Sequence, residues 1–274
     1  MKRYLIFVLT VAMLLSLSSC FLLPDVETVE WAVFTVPEGG VNKGELVIAN
    51  ATNSASIPAP DQLTSIAEVM GRHNTAVYLD SGLSTHMDKV ALTALDNMLT
   101  EFNRSQRVNN VQIRYTYVPA ASLGELPADH LTGLGCELKY VTEAEDGSMT
   151  VHNLSESSVY GWLAENCHQY GFVVRYPADK AAVTGVSDYT DYFRYVGPVH
   201  ASYMRDNNLC LEEYVSFLKA NYDRNEPLSV YLDGVHYQVF YADATQSSTV
   251  LYPAYHSYTY SGTGEGGVIV VLQV

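Results

Sequence analysis

Cations are scarce in this 274-residue chain: 15 Lys and Arg stand against 30 Asp and Glu, a formal net charge of −15. That balance argues against nucleic acid as a partner, because phosphates demand a basic face. Charge of either sign is also sparse, at 16%, while hydrophobic residues make up 48%. Intrinsic disorder needs the opposite composition and is excluded. No apolar run reaches the roughly 20 residues that span a bilayer. There is no internal repeat, no low-complexity tract and no Cys-x-x-Cys pair, so a thiolate zinc site is not expected. The Gly-rich stretch from Gly262 to Gly267 is not followed by Lys-Ser/Thr and is no phosphate loop, so it reads as a hairpin loop. Phe is rare at 8 residues, whereas Tyr reaches 21. A Tyr-rich, Lys-poor chain suits β-structure with wet aromatic surfaces, since Tyr buries a ring and keeps its hydroxyl hydrated.

The N-terminus reads as an address. Lys2 and Arg3 precede an apolar segment from Leu5 to Leu15, interrupted only by Thr10. Leu17-Ser18-Ser19-Cys20 then resembles the bacterial lipobox, in which a Cys receives a diacylglycerol thioether before cleavage. Removing residues 1–19 leaves 255 residues, and losing Lys2 and Arg3 takes the net charge from −15 to −17. Two acyl chains make a stable anchor, so an extracytoplasmic, membrane-attached lipoprotein is expected. Cys136, Cys167 and Cys210 remain, an odd number that leaves at least one free thiol. They are expected to be small buried hydrophobes.

Trp31–Val36 and Glu45–Ala49 read as short strands, and a helix is expected from Asp61. Thr85–Arg104 shows the clearest helical period, through Val90, Ala91, Leu95, Met98, Leu99 and Phe102. Val111–Val118 alternates as a strand. Ser155–Tyr170 reads as a helix ending at Gly171, and Leu211–Tyr222 as a last amphipathic helix. Beyond Asn225 the texture turns to β. Leu228–Leu232 and Val235–Tyr241 flank Asp233-Gly234, a pair suited to a type I′ turn, and further strands are expected at Ser248–Tyr252 and Val268–Val274. Tyr252, Tyr255, Tyr258 and Tyr260 are expected to be exposed sheet aromatics, or a wall-binding face.

Two stretches carry specific chemistry. One is Asp129-His130-Leu131-Thr132-Gly133-Leu134-Gly135-Cys136-Glu137. The other runs through Asn166-Cys167-His168-Gln169-Tyr170-Gly171-Phe172, Arg175-Tyr176-Pro177, Thr184-Gly185 and Arg194-Tyr195-Val196-Gly197, and Leu211-Glu212-Glu213-Tyr214 follows. Over about residues 45 to 220 this resembles the zinc D-Ala-D-Ala carboxypeptidases of the VanY type, in the hedgehog/D,D-peptidase superfamily. That family carries Ser-x-His-x-x-Gly-x-Ala-x-Asp and, later, a Glu-x-x-His that opens a sheet strand. The resemblance implies an α+β fold: a hedgehog-like D,D-peptidase domain with an antiparallel sheet and packed helices, plus a small C-terminal all-β appendage. The expected boundaries are a lipoprotein signal peptide at 1–19, tether and first strand at 20–44, the carboxypeptidase-like domain at 45–225 and the β appendage at 226–274.

Carried over residue by residue, the family's zinc ligands fall on His130, Glu137 and Tyr192, and its general base on Tyr189. Glu137 is still an anionic oxygen donor where the family has Asp. Tyr192 stands where imidazole is required, and a phenol with pKa near 10 is a poor base at Tyr189. Arg114 sits too early to carry over as the substrate-gripping Arg. Asp188 and Asp191 keep the spacing of Glu-x-x-His one position early, so a bulge would be needed to bring Asp188 to the base position and Asp191 to the metal. His73, His86, His152, His236 and His256 have no ligand-like spacing; His168 reads as a surface or packing residue, and His200 as one that caps or packs around the sheet.

The expectation is therefore a lipoprotein with an impaired peptidase-like domain that binds or scaffolds at peptidoglycan, with no cofactor, or with zinc if the site works. The alternative is an active D,D-carboxypeptidase with an atypical site. A third class is a structural partner of an envelope protein acting through the β appendage. The expected partners are a peptidoglycan stem peptide or envelope protein, and the membrane through lipidated Cys20. Cell fractionation tests the address: Cys20→Ser should release the protein from membranes or leave the leader uncleaved. Unchanged attachment with a mature N-terminus elsewhere would refute the lipobox.

Overall fold

A computed structural model describes residues 29–70, 78–79 and 85–274. The leader, Cys20 and His73 fall outside these residues. The central sheet runs in the order β3 (Tyr78–Leu79), β5 (Val111–Arg114), β6 (Gly135–Glu143), β9 (Tyr192–Tyr195), β8 (Phe172–Val174), with β7 (Met149–His152) also paired to β6. Its pairs are antiparallel except β3 with β5, which is parallel.

One face of this sheet is covered by α2 (Lys89–Gln106) and α3 (Ser158–Asn166). The first of these starts where Asp88 Oδ1 accepts hydrogen bonds from the Val90 and Ala91 amides, at 2.8 and 3.3 Å. Ala91, Leu92, Leu95, Met98, Leu99 and Phe102 form its buried stripe, and each of the larger side chains contributes about 1.5–3 kcal/mol by burial. Val90, counted in the apolar face from sequence, is exposed instead. The expected start at Thr85 is also corrected. His86–Asp88 is a strand, β4, paired with β2 (Leu63–Ser65), and among the described residues α1 (Ile66–Met70) answers to the helix expected from Asp61.

Two expected strands are shortened or lost. Val111–Val118 stops at Arg114, because Tyr115 takes a left-handed backbone (φ 45°) that breaks the ladder. Glu45–Ala49 forms no strand. Its polar groups are taken elsewhere: the carbonyls of Glu45 and Val47 accept from Arg194, and the Ile48 amide donates to Thr263 O. The expected helix at Ser155–Tyr170 is three pieces, with 3-10 turns at Leu154–Glu156 and Cys167–Tyr170 flanking α3. Asn153, not Ser155, caps the first of them, while Gly171 ends the last with φ 79° as expected.

The C-terminal strands form a separate antiparallel sheet in the order β10 (Leu228–Leu232), β11 (Val235–Asp243), β14 (Gly267–Gln273), β13 (Ser257–Gly262). Asp233 and Gly234 both have positive φ, 50° and 79°, as a type I′ turn requires. Both faces of this sheet are buried. Leu228, Val230, Val239 and Ile269 share a core with Leu46, Ile48, α5 (Pro198–Asp206) and α6 (Leu211–Asn221). On the other face Phe240, Val268, Val270 and Leu272 pack with Phe34 and Val36. Phe34 lies on β1 (Trp31–Thr35), which pairs with β12 (Thr249–Pro253), so the expected tether strand closes onto the C-terminal strands. Three tyrosines of the expected exposed cluster are consumed here: Tyr252, Tyr258 and Tyr260 lie with ring centroids 6.0, 4.7 and 4.9 Å from Phe34. Tyr255 alone of the four is exposed. Cys136, Cys167 and Cys210 are free and buried.

His200 packs, as expected: it is buried in α5 with Nδ1 2.8 Å from the Tyr214 hydroxyl of α6. Burial pushes its pKa down to about 4. The folded imidazole thus stays neutral where the unfolded one, near 6.5, takes up a proton. Stability is complete above pH 6.5 and falls as pH drops towards 4, by on the order of 3 kcal/mol. Denaturant titrations at pH 7.5 and 4.5 should show that loss in the wild type and a much smaller one in His200→Gln. An equal loss in both would assign the acid sensitivity elsewhere.

Candidate functional site

The site is built on a short 3-10 turn, Ala128–Thr132, that delivers Asp129 and His130 to one edge of the sheet. Gly133, at φ 66°, ends the turn and lets the chain enter β6. Asp129 is fully buried, and Oδ1 accepts from both Arg175 Nε (3.0 Å) and Arg194 Nη1. Burial alone would raise its pKa, but Arg194 and Arg175 more than offset this and hold the carboxyl below the usual range. Arg175 also grips Glu212 with two parallel bonds, 2.9 and 2.6 Å.

His130, one residue on, is fully buried. Its Nδ1 lies 2.9 Å from the Thr116 carbonyl, so Nδ1 carries the proton and Nε2 presents a lone pair. That Nε2 atom is buried and has no hydrogen-bond partner. Burial lowers the pKa of the ring, which keeps it neutral. Three tyrosine rings stand edge-on to it: Tyr192 at 4.6 Å, Tyr115 at 6.3 Å and Tyr189 at 6.5 Å between centroids. Tyr115 and Tyr189 both hold left-handed backbone, φ 45° and 62°, a conformation that costs a non-glycine residue about 1–3 kcal/mol and tends to cluster at ligand sites.

Tyr192 is buried, and its hydroxyl also lacks a partner. Burial, then Asp129 and Tyr176, push its pKa well above the ordinary 10, so the phenol stays protonated. Gly135 makes room for it. A Cβ at position 135 would sit 2.7 Å from the Tyr192 hydroxyl and 2.7 Å from the Phe193 carbonyl. Tyr189 is half-buried, and burial, then Glu137, raise its pKa too.

Glu137 lies opposite Tyr192 across β6 and β9. Its carboxylate is not open: Lys139 Nζ is 3.0 Å from Glu137 Oε1 and 3.0 Å from Asp191 Oδ2. Asp191 Oδ2 also accepts from the Leu154 amide at 3.1 Å. The chain before β9 forms a turn, with the Tyr192 amide donating to Tyr189 O at 2.9 Å, and Asp188 is exposed. The structure thus brings His130, Glu137, Tyr189 and Tyr192 together, and ties Asp191 to Lys139 and the Leu154 amide. Lys139 was missed from the sequence. Its alternation with Glu137 along one strand face was the available signal, but the pairing with Asp191 is non-local.

A zinc ion would need His130 Nε2, which is free to serve, and two further donors. Glu137 is neutralised by Lys139, and Tyr192 offers a protonated phenol. Among the described residues no three of His, Cys, Asp or Glu are placed to hold a metal. This donor set does not fit zinc.

Residues 124–198 match the VanY family, D-alanyl-D-alanine carboxypeptidase, and contain Asp129, His130, Glu137, Lys139, Tyr189, Asp191 and Tyr192. The chain is 38% identical over 111 residues to a D-alanyl-D-alanine carboxypeptidase of Enterococcus faecium, covering 40% of this chain and 35% of that protein. It is 38% identical over 89 residues to another from Enterococcus faecalis, covering 32% and 30%. The chain thus spans about a third of the curated relatives it matches. Among solved structures, the vancomycin-resistance D,D-dipeptidase VanXYg, solved with a D-Ala-D-Ala phosphinate analogue, superimposes with TM-score 0.70 at 19% identity, over 89% of this chain and 100% of that one. The fold is therefore that of the D,D-peptidases.

The lysine bridge can be tested by denaturation. Lys139→Met leaves Glu137 and Asp191 buried and uncompensated and should cost about 3–5 kcal/mol. Adding Glu137→Gln and Asp191→Asn should recover most of it. A Lys139→Met protein as stable as the wild type would show that the bridge contributes nothing.

Proposed function

We propose that this chain, which carries a VanY-family D-Ala-D-Ala carboxypeptidase domain, is an envelope lipoprotein that binds peptidoglycan stem peptides without hydrolysing them. The observation that carries this reading is the lysine bridge. Lys139 supplies, from within the chain, the positive charge that a metal would otherwise bring to Glu137. The base and third-ligand positions hold protonated phenols, Tyr189 and Tyr192. Proton abstraction from a metal-bound water thus has neither the metal nor the base. The scaffold that holds His130 is kept, and the strained Tyr115 and Tyr189 beside it are the candidate ligand contacts. The peptide class follows from the relatives' substrates, and the extracytoplasmic, lipid-anchored location from Cys20.

One observation favours the active alternative. The His130 tautomer, with Nδ1–H on a backbone carbonyl and Nε2 bare, is the form a metal-ligating histidine takes. Metal analysis and an assay of D-Ala release from a pentapeptide separate the two. The expected result is binding of the pentapeptide with no D-Ala release and no stoichiometric zinc. Tyr192→His or Tyr189→Glu alone should change little, because catalytic groups act as a unit. A chelator-resistant zinc with turnover abolished by Glu137→Ala, Asp188→Ala or Asp191→Ala would establish the enzyme instead.

A further inference from the structure

The two-stranded ribbon of β1 and β12 has one side buried and one side bare. Ala32 and Phe34 on β1, with their cross-strand partners Tyr252 and Val250, turn inwards to the core beneath the C-terminal sheet. The alternate residues turn outwards, and apart from the Thr35–Thr249 pair at one end they are apolar. Val29, Trp31 and Val33 are 54%, 39% and 59% exposed, and Leu251 and Pro253 stand opposite Val33 and Trp31. An outward strand face is ordinarily polar, so a contiguous apolar row marks a contact surface. It also carries a cation: the Arg224 guanidinium lies 5.7 Å from the centre of the Trp31 ring.

The geometry points to the bilayer surface as the occupant of this face. The assignment rests on the lipoprotein reading of Cys20. Only eight residues, 21–28, lie between that cysteine and Val29, a reach of at most about 30 Å when fully extended. A double acyl chain at Cys20 therefore holds the start of the ribbon close to the headgroups whatever path the linker takes. Tryptophan has an apolar body and one N–H donor, which suits the boundary between acyl chains and water. Arginine beside it offers paired donors to a lipid phosphate. The rest of the mature chain is strongly acidic and would be repelled by anionic lipids, so an apolar face with one local cation is the part able to approach. Trp31, Val33 and Arg224 thus fix how the anchored domain stands on the membrane, where a tether alone would let it tumble.

The chain has two tryptophans, Trp31 and Trp162, so the contact can be read directly. Full-length lipidated protein carrying Trp162→Phe is reconstituted into vesicles of phosphatidylglycerol with brominated acyl chains. Trp31 fluorescence should fall by about half or more relative to unbrominated vesicles. Val29→Ser with Val33→Ser, both at exposed positions, should remove most of that quenching while leaving the protein vesicle-bound. Protein that floats with the vesicles but shows unquenched Trp31 would overturn the docking surface and leave the lipoprotein reading standing. Protein that does not float would overturn the lipid anchor and the surface with it. Trp31 shielded from acrylamide in lipid-free extracts, but not quenched by bromine, would assign the face to a protein partner and overturn the proposal.

Discussion

Everything at the site hangs on one buried carboxylate. Asp129 lies in a 3-10 turn that has little regular hydrogen bonding of its own, yet it accepts from two arginines that come from different strands and loops. Arg194 spends its remaining donors on the carbonyls of Tyr195, Glu45 and Val47, and Arg175 spends its own on Glu212 at the start of α6. Two carboxylates and two guanidiniums make a neutral set, which is the condition for keeping four charges away from water. The set ties the turn to the sheet, to the helix that borders the C-terminal sheet, and to the N-terminal segment at Glu45–Val47. His130 is placed because its neighbour is placed.

This gives the motif arginines a role in the fold that does not depend on catalysis. Arg175 and Arg194 belong to the Arg-Tyr-Pro and Arg-Tyr-Val-Gly runs by which the chain resembles the D,D-peptidases, and both bind the Asp129 carboxylate. They are scaffold. Removing either would leave a buried charge uncompensated, at a cost of about 3–5 kcal/mol, comparable with a large share of a domain's whole stability. Glu137 and Tyr192 answer to other constraints, Glu137 to the Lys139 bridge and Tyr192 to the space left at Gly135. Their positions can change chemistry while the arginine set holds the turn in place.

How legible this was depends on range. The helical stripe of α2, the Asp233-Gly234 hairpin and the Gly171 terminator rest on local periodicity or local φ, and each was readable in the chain. The alignment of His130, Glu137, Tyr189 and Tyr192 was readable from motif spacing. The failures are non-local. Glu45–Ala49 has the composition of a strand, but a guanidinium from residue 194 takes its carbonyls. Tyr252, Tyr258 and Tyr260 read as a surface cluster until Phe34, more than two hundred residues earlier, covers them. Lys139 went unread because its partner Asp191 is fifty-two residues away in sequence.

Gly135 shows how such couplings could be sought in a single chain. It stands where the D,D-peptidase motif has Ala, and alone it would pass as a neutral change. Read with Tyr192 it is not neutral, since a methyl there would fall 2.7 Å from the phenol oxygen. The larger side chain at 192 and the missing one at 135 therefore form a complementary pair. Lys139 and Asp191 make a second pair around Glu137. In a metal centre, coordinate bonds would hold the His130 turn, β6 and the start of β9 together. Here the Tyr192 ring packed between His130 and Gly135 does that for the first contact, and the Lys139 ammonium does it for the second. The two places are mutually fitted, Tyr192 with Gly135 and Lys139 with Asp191 beside Glu137. That is why restoring one ligand by itself would leave the packing and the charge balance of the present arrangement still in force.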